Sequence, residues 1–165
     1  MASRIPNINI GQVYDQRYAN SELHFEQLDN LANFFGRNMP VHYHDRFYQL
    51  HIVLDGSTHV HLDDKHFINE GITLFFTPPA VPHSFVTESS SSGYVLTIQQ
   101  QLVWRLLDME SGLNNIMVDQ MKPFCTKLID DNPILSLITH LKRELNSSGM
   151  MQEKATQSLL QLILI

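Results

Sequence analysis

One cysteine, Cys125, and one tryptophan, Trp104, occur among the 165 residues of this chain. A lone thiol excludes an internal disulfide framework and fits a reducing cytosol, with Cys125 acting as a small hydrophobe. Lysine and arginine total 11 against 17 aspartates and glutamates, for a formal net charge of −6. That is no basic footprint for a phosphate backbone, so this stretch is not expected to bind DNA by itself. Long apolar runs are missing too. The longest, Leu159 to Ile165, is far shorter than a bilayer span, and Met1 to Gly11 has no basic stretch leading into an apolar one. The expectation is a cytoplasmic protein with neither leader nor membrane segment. A hydrophobic share of 43% and this length suit one ordinary globular domain.

What is present falls into two halves. Up to Gln99 the chain reads as short strands with turn punctuation: Glu22–Glu26, Phe47–Leu54, Thr58–Leu62, His66–Ile68, Ile72–Phe76, His83–Thr87 and Tyr94–Gln99. Asp55-Gly56 and Asp63-Asp64-Lys65 supply turns, and Ser89 to Gly93 reads as an exposed loop. Many short strands at even spacing predict a sandwich or barrel over residues 1–100. From residue 101 the apolar period becomes helical. Asn132 is a cap with Pro133 at the first helical position, Ile134, Leu137, Ile138, Leu141 and Leu145 share a face, and a last helix starts near Gln152. Its apolar stripe is unfinished at Ile165, which predicts a longer protein and a helical pair suited to a homodimer interface.

The most informative residues are His42 and His44, followed by Gln49 and later by His83. Two histidines one residue apart in extended chain point to the same side, so both imidazoles can converge on one point. Pro78-Pro79-Ala80-Val81-Pro82 ahead of His83 is a stiff turn that aims a third imidazole back at them. Three imidazoles and the Gln49 amide oxygen could hold one divalent metal ion, zinc or nickel ahead of iron. The alternative is a ring of hydrogen-bonding histidines around a polar pocket without metal. His51, two residues past Gln49 on the same strand, is a pocket candidate. Arg46 could clamp a carboxylate, and Tyr43, Phe47 and Phe85 could stack on a flat ligand. His59 and His61 are expected on the surface of a hairpin, and His24, His66 and His140 at surface or edge positions. No residue is assigned a catalytic role.

The spacing His42-Tyr43-His44, Gln49, Gly56 resembles the first half of a cupin site, with Gln where Glu is usual. Gly71 through Thr87 resembles the second, with a glycine-to-proline gap one residue longer than usual, Ala80 for a glycine and Thr87 where asparagine is typical. The run from Phe34 to His51, with Leu74–Thr87 and Gly93–Thr97, further resembles the sensor domain of AraC-type transcription regulators, and among them activators of 4-hydroxyphenylacetate catabolism. That resemblance implies a mainly β fold: a cupin jelly-roll barrel over 1–100 that binds effector, then a helical dimerisation segment over 101–165. DNA would be read only by a further helix-turn-helix domain. The implied partner is a small aromatic acid, 4-hydroxyphenylacetate or a relative, held by Arg46 or a metal at its carboxylate and by aromatic side chains at its ring. A metal-dependent cupin enzyme acting on a phenolic acid, and an inert dimerisation module, are the competing functions.

Overall fold

A computed structural model describes residues 5–12, 16–107 and 121–165. Residues 1–4, 13–15 and 108–120 of the two expected segments lie outside the described residues. The elements run β1 (Leu23–Gln27), α1 (Leu28–Phe35), β2 (Asn38–His42), β3 (Phe47–Val53), β4 (Ser57–Leu62), β5 (Lys65–Glu70), β6 (Thr73–Thr77), β7 (His83–Thr87) and β8 (Gly93–Gln99). Then follow α2 (Gln100–Leu106), β9 (Phe124–Lys127), α3 (Pro133–Leu145) and α4 (Gln152–Leu164).

The strands form two antiparallel sheets, ordered β1-β8-β3-β6-β9 and β2-β7-β4-β5. They face each other as a jelly-roll, and the barrel expected from the strand pattern is present. Alternation along β3 explains why every one of its residues is buried. Gln49, His51 and Val53 turn toward the barrel interior, where Val53 packs with Phe75, Val95, Val60 and Phe85. Tyr48, Leu50 and Ile52 turn outward and join Phe76, Ile98, Leu141 and Leu160 in a second core beneath the helices. A sheet covered on both faces reads as a continuous apolar run, and this one does.

Two elements depart from the sequence expectation. Leu28, Leu31, Ala32 and Phe35 carry a helical period inside a region read as all strand, and α1 forms there, closed by the Gly36 N–H on the Ala32 carbonyl at 2.8 Å. Within the segment read as helical, Phe124–Lys127 adds a fifth strand, at the edge of the first sheet, by pairing with β6. The outward face of the five-stranded sheet and the helices share the second of the two cores, while the barrel interior keeps its own. The expected start of α3 is present in detail: Pro133 opens it, and Asn132 Oδ1 accepts from the Ile134 N–H at 3.1 Å.

Candidate metal centre and its cavity

β2 and β7 pair so that His42 stands opposite His83, after a register break between Met39 and His42. His44 lies just beyond β2, on the bend into β3. The three rings, all buried, come together: their centroids are 4.2 Å apart for His42 and His83, 4.9 Å for His42 and His44, and 5.2 Å for His44 and His83. One nitrogen from each lies within 4.8 Å of the others.

Each ring is also oriented from behind. His42 Nδ1 meets the Pro40 carbonyl at 2.8 Å, His83 Nδ1 the Val81 carbonyl at 3.0 Å, and His44 Nδ1 the Ile8 carbonyl. A carbonyl only accepts, so the proton sits on Nδ1 in all three rings and Nε2 keeps a free lone pair. Nε2 of His44 and His83 is buried with no hydrogen-bond partner, and so is Oε1 of Gln49. The Gln49 amide is turned by its Nε2, which donates to Thr97 Oγ1 at 3.1 Å. Bare acceptors of this kind are costly in a protein interior unless something meets them. Metal-ligating histidines are characteristically held through the second ring nitrogen in this way. His42, His44, His83 and Gln49 could therefore hold one divalent ion.

Burial favours the neutral form of these rings, and for His44, His51 and His83 the neighbouring imidazoles reinforce it. It depresses His44 to about 4, lowers His42, and carries His83 and His51 well below the ordinary imidazole range. The sign follows from linkage: a pKa lowered by folding means that the unfolded chain binds the proton more tightly. The stability this provides is complete above about pH 6.5 and is lost as pH falls toward and through 4, with His44 alone contributing on the order of 3 kcal/mol. Urea denaturation in the presence of a chelator at pH 7.5, 6 and 5 is expected to give a stepwise falling midpoint. A flat profile would contradict buried neutral imidazoles.

The turn that aims His83 carries its own strain. Val81 N–H returns to the Pro78 carbonyl at 3.4 Å, and Ala80 between them has φ 65°, the left-handed region that favours glycine. The Ala80 N–H also reaches the His44 carbonyl at 2.7 Å, tying the turn to the second histidine. Relief of the side-chain clash outweighs glycine's extra unfolded-state freedom, so Ala80→Gly is expected to stabilise the fold by about 0.5–1 kcal/mol. A lower melting temperature would contradict that backbone assignment.

Beside the triad lies a cavity of about 30 Å³ between the barrel mouth and α1, with Leu31, Phe35, Gln49, His51, Phe85 and Thr87 among its walls. His51 stacks on Phe75 at 4.2 Å with rings 7° apart and leaves Nδ1 unpartnered. The structure thus brings His51 and Phe85 to the histidines. Arg46, Tyr43 and Phe47 are not among the lining residues. Arg46 points to solvent, 68% exposed and 3.9 Å from Asp45, because the bend that carries it lies outside the barrel. The backbone of Tyr43 holds residues 6–8 against the mouth, and Phe47 packs on Ile10.

His59, His61, His66 and His140 are exposed as expected, and His61 and His66 stack at 4.0 Å across the β4–β5 hairpin. His24 is a correction: it is buried, 4.3 Å from the Tyr18 ring, because its strand position turns it under residues 16–18. A second, larger cavity has a volume of about 240 Å³. It sits between the outward face of the five-stranded sheet and α4, lined by Leu50, Leu74, Phe76, Ile134 and Ile163, with Lys122 as its charged residue. No local sequence signal marks it, since it arises where a helix spans two strands.

The sequence profile described as the AraC-like ligand binding domain matches residues 31–164. The chain belongs to that family. No curated protein sequence matches it. Among solved structures, this AraC-like domain is similar to apo ToxT from Vibrio cholerae, at 12% identity and TM-score 0.51, over 86% of this chain and 54% of that one. The Cnp3 cupin domain of Schizosaccharomyces pombe (16% identity, TM-score 0.35) overlaps 41% of this chain and 51% of its own. A cupin protein of Bacteroides fragilis (16%, TM-score 0.35) overlaps 59% and 84%. The AraC-like domain spans about half the length of ToxT. Among the described residues no helix is long and apolar enough to cross a membrane.

Proposed function

We propose that this AraC-like domain senses a small aromatic acid, of which 4-hydroxyphenylacetate is the leading candidate, and does so through one divalent metal ion on His42, His44 and His83. Gln49 Oε1 would be the fourth donor, and zinc or nickel suits imidazole and amide together. When bound, the ion would supply the positive charge that a carboxylate needs. His51 and Phe85 would meet the aromatic ring. The observation that carries this reading is the set of three buried imidazoles, each anchored at Nδ1 by a backbone carbonyl, with one nitrogen of each within 4.8 Å of the others.

The cavity of about 30 Å³ is far below the roughly 300–1,000 Å³ of small-molecule pockets. Effector entry in this reading displaces Leu31 and Phe35 of α1, and that movement is how occupancy would reach the rest of the protein. A ligand shifts such an equilibrium only by its differential affinity for the two states. In the whole protein we place the domain in a cytoplasmic homodimeric activator, with α3 and α4 as the dimer face and DNA contacted by a separate domain.

The larger cavity favours a second reading, in which the acid lies beneath α4 with Lys122 at its carboxylate. Thermal melts with millimolar 4-hydroxyphenylacetate and zinc distinguish the two. The expected result is a raised melting temperature that His83→Ala abolishes and Lys122→Ala leaves intact. The opposite pattern would move the acid to the second cavity. Absence of any shift would remove this effector, and turnover of the acid by the metal-loaded chain would make the domain an enzyme.

A further inference from the structure

The cavity beside the triad is walled by apolar groups, imidazoles, an amide and a hydroxyl, with no ionised side chain among its lining residues. Asp45, the carboxylate that acts on His44, is 43% exposed and accepts from Asn9 Nδ2 at 2.7 Å. Arg46 faces solvent, and Lys122 belongs to the other cavity. A divalent cation on three neutral imidazoles and a neutral amide would therefore keep its whole charge inside the protein. A carboxylate entering alone would be equally unpaired. Buried charge is tolerated when it is paired, and a bound ion dominates the electrostatics of its site.

We infer that metal ion and carboxylate bind this cavity as a mutually dependent pair, because the neutral Gln49 leaves the ion's charge to be met by the ligand. The inference rests on the metal reading above and goes beyond it: the ligand must be an anion, and each component raises the affinity of the other. Thr97 takes part as a positioning residue. By occupying the Gln49 NH₂ group it leaves Oε1 as the end of the amide able to ligate a cation. A glutamate at position 49 would bring its own negative charge, strengthen metal binding by itself, and repel the acid.

Isothermal titration in chloride- and phosphate-free buffer tests this, with zinc as the metal and 4-hydroxyphenylacetate as the anion. The neutral 4-hydroxyphenylacetamide serves as control, and His61→Ala with His66→Ala removes the exposed histidine pair from the titration. Saturating acid is expected to raise zinc affinity about 10- to 100-fold, and saturating zinc to raise acid affinity by the same factor, as linkage requires. The amide should give no rise. Gln49→Glu should bind zinc more tightly alone and lose the enhancement by acid. If that variant does not fold, the titrations with glutamine at position 49 still decide. Zinc affinity indifferent to the acid would overturn the coupling. Equal binding of the acid to the metal-free chain would overturn it as well, while leaving acid sensing in place. Failure of both ligands in every combination would remove the coupling and the proposed function together.

Discussion

Zinc at one hundred times its dissociation constant is expected to stabilise the metal-stripped chain by about 2.7 kcal/mol, and His83→Ala should erase that gain. The size follows from mass action, provided the ion binds the folded chain alone. The loss follows from geometry. His83 and His42 face each other across the β2–β7 pair, so removing either opens the ligand set on one side. Their Nδ1 anchors are backbone carbonyls two residues earlier, which no neighbouring side chain replaces. Differential scanning fluorimetry of the original chain and the variant, with and without zinc, reads the effect. A zinc-induced shift that survives His83→Ala would place the ion elsewhere, with the exposed His61–His66 pair as the first alternative.

Gly93→Ala carries the largest expected loss of folding stability, at least about 2–3 kcal/mol. Gly93 begins β8 opposite Val53, and a Cβ built there would overlap the Ile52 carbonyl oxygen. The clash is with backbone of β3, the central strand that carries Gln49 and His51, so it cannot be relieved by a rotamer change. Gly149→Ala is the matched control. Nothing lies within 4 Å of a Cβ at that exposed position, and its melting temperature should change little. Equal stability of the two variants would mean that β8 is not seated on β3 as described.

The convergence of His42, His44 and His83 could be read from spacing, because one intervening residue and a proline-rich turn restrict where side chains can point. The α3 start was legible for a similar local reason, an Asn132 cap followed by Pro133. By contrast α1 was hidden in plain sight: Leu28, Leu31, Ala32 and Phe35 have helical spacing and Gly36 ends them, yet flanking strands dominated the pattern. β9 was illegible, since four residues become a strand only because β6 offers an unpaired edge. Arg46 shows the limit for the site itself. Its neighbours His44 and Gln49 face inward, but the bend between them turns the guanidinium outward, and sequence distance does not report that. The role of Thr97 is tertiary too, because it lies 48 residues from Gln49.

The most direct measurement is a zinc-edge anomalous difference map from crystals of the zinc-loaded chain. The result expected is one principal peak about 2.0–2.1 Å from Nε2 of His42, His44 and His83, with the Gln49 oxygen completing the protein ligands. Peaks confined to the exposed histidines of the β4–β5 hairpin, with the triad empty, would contradict it.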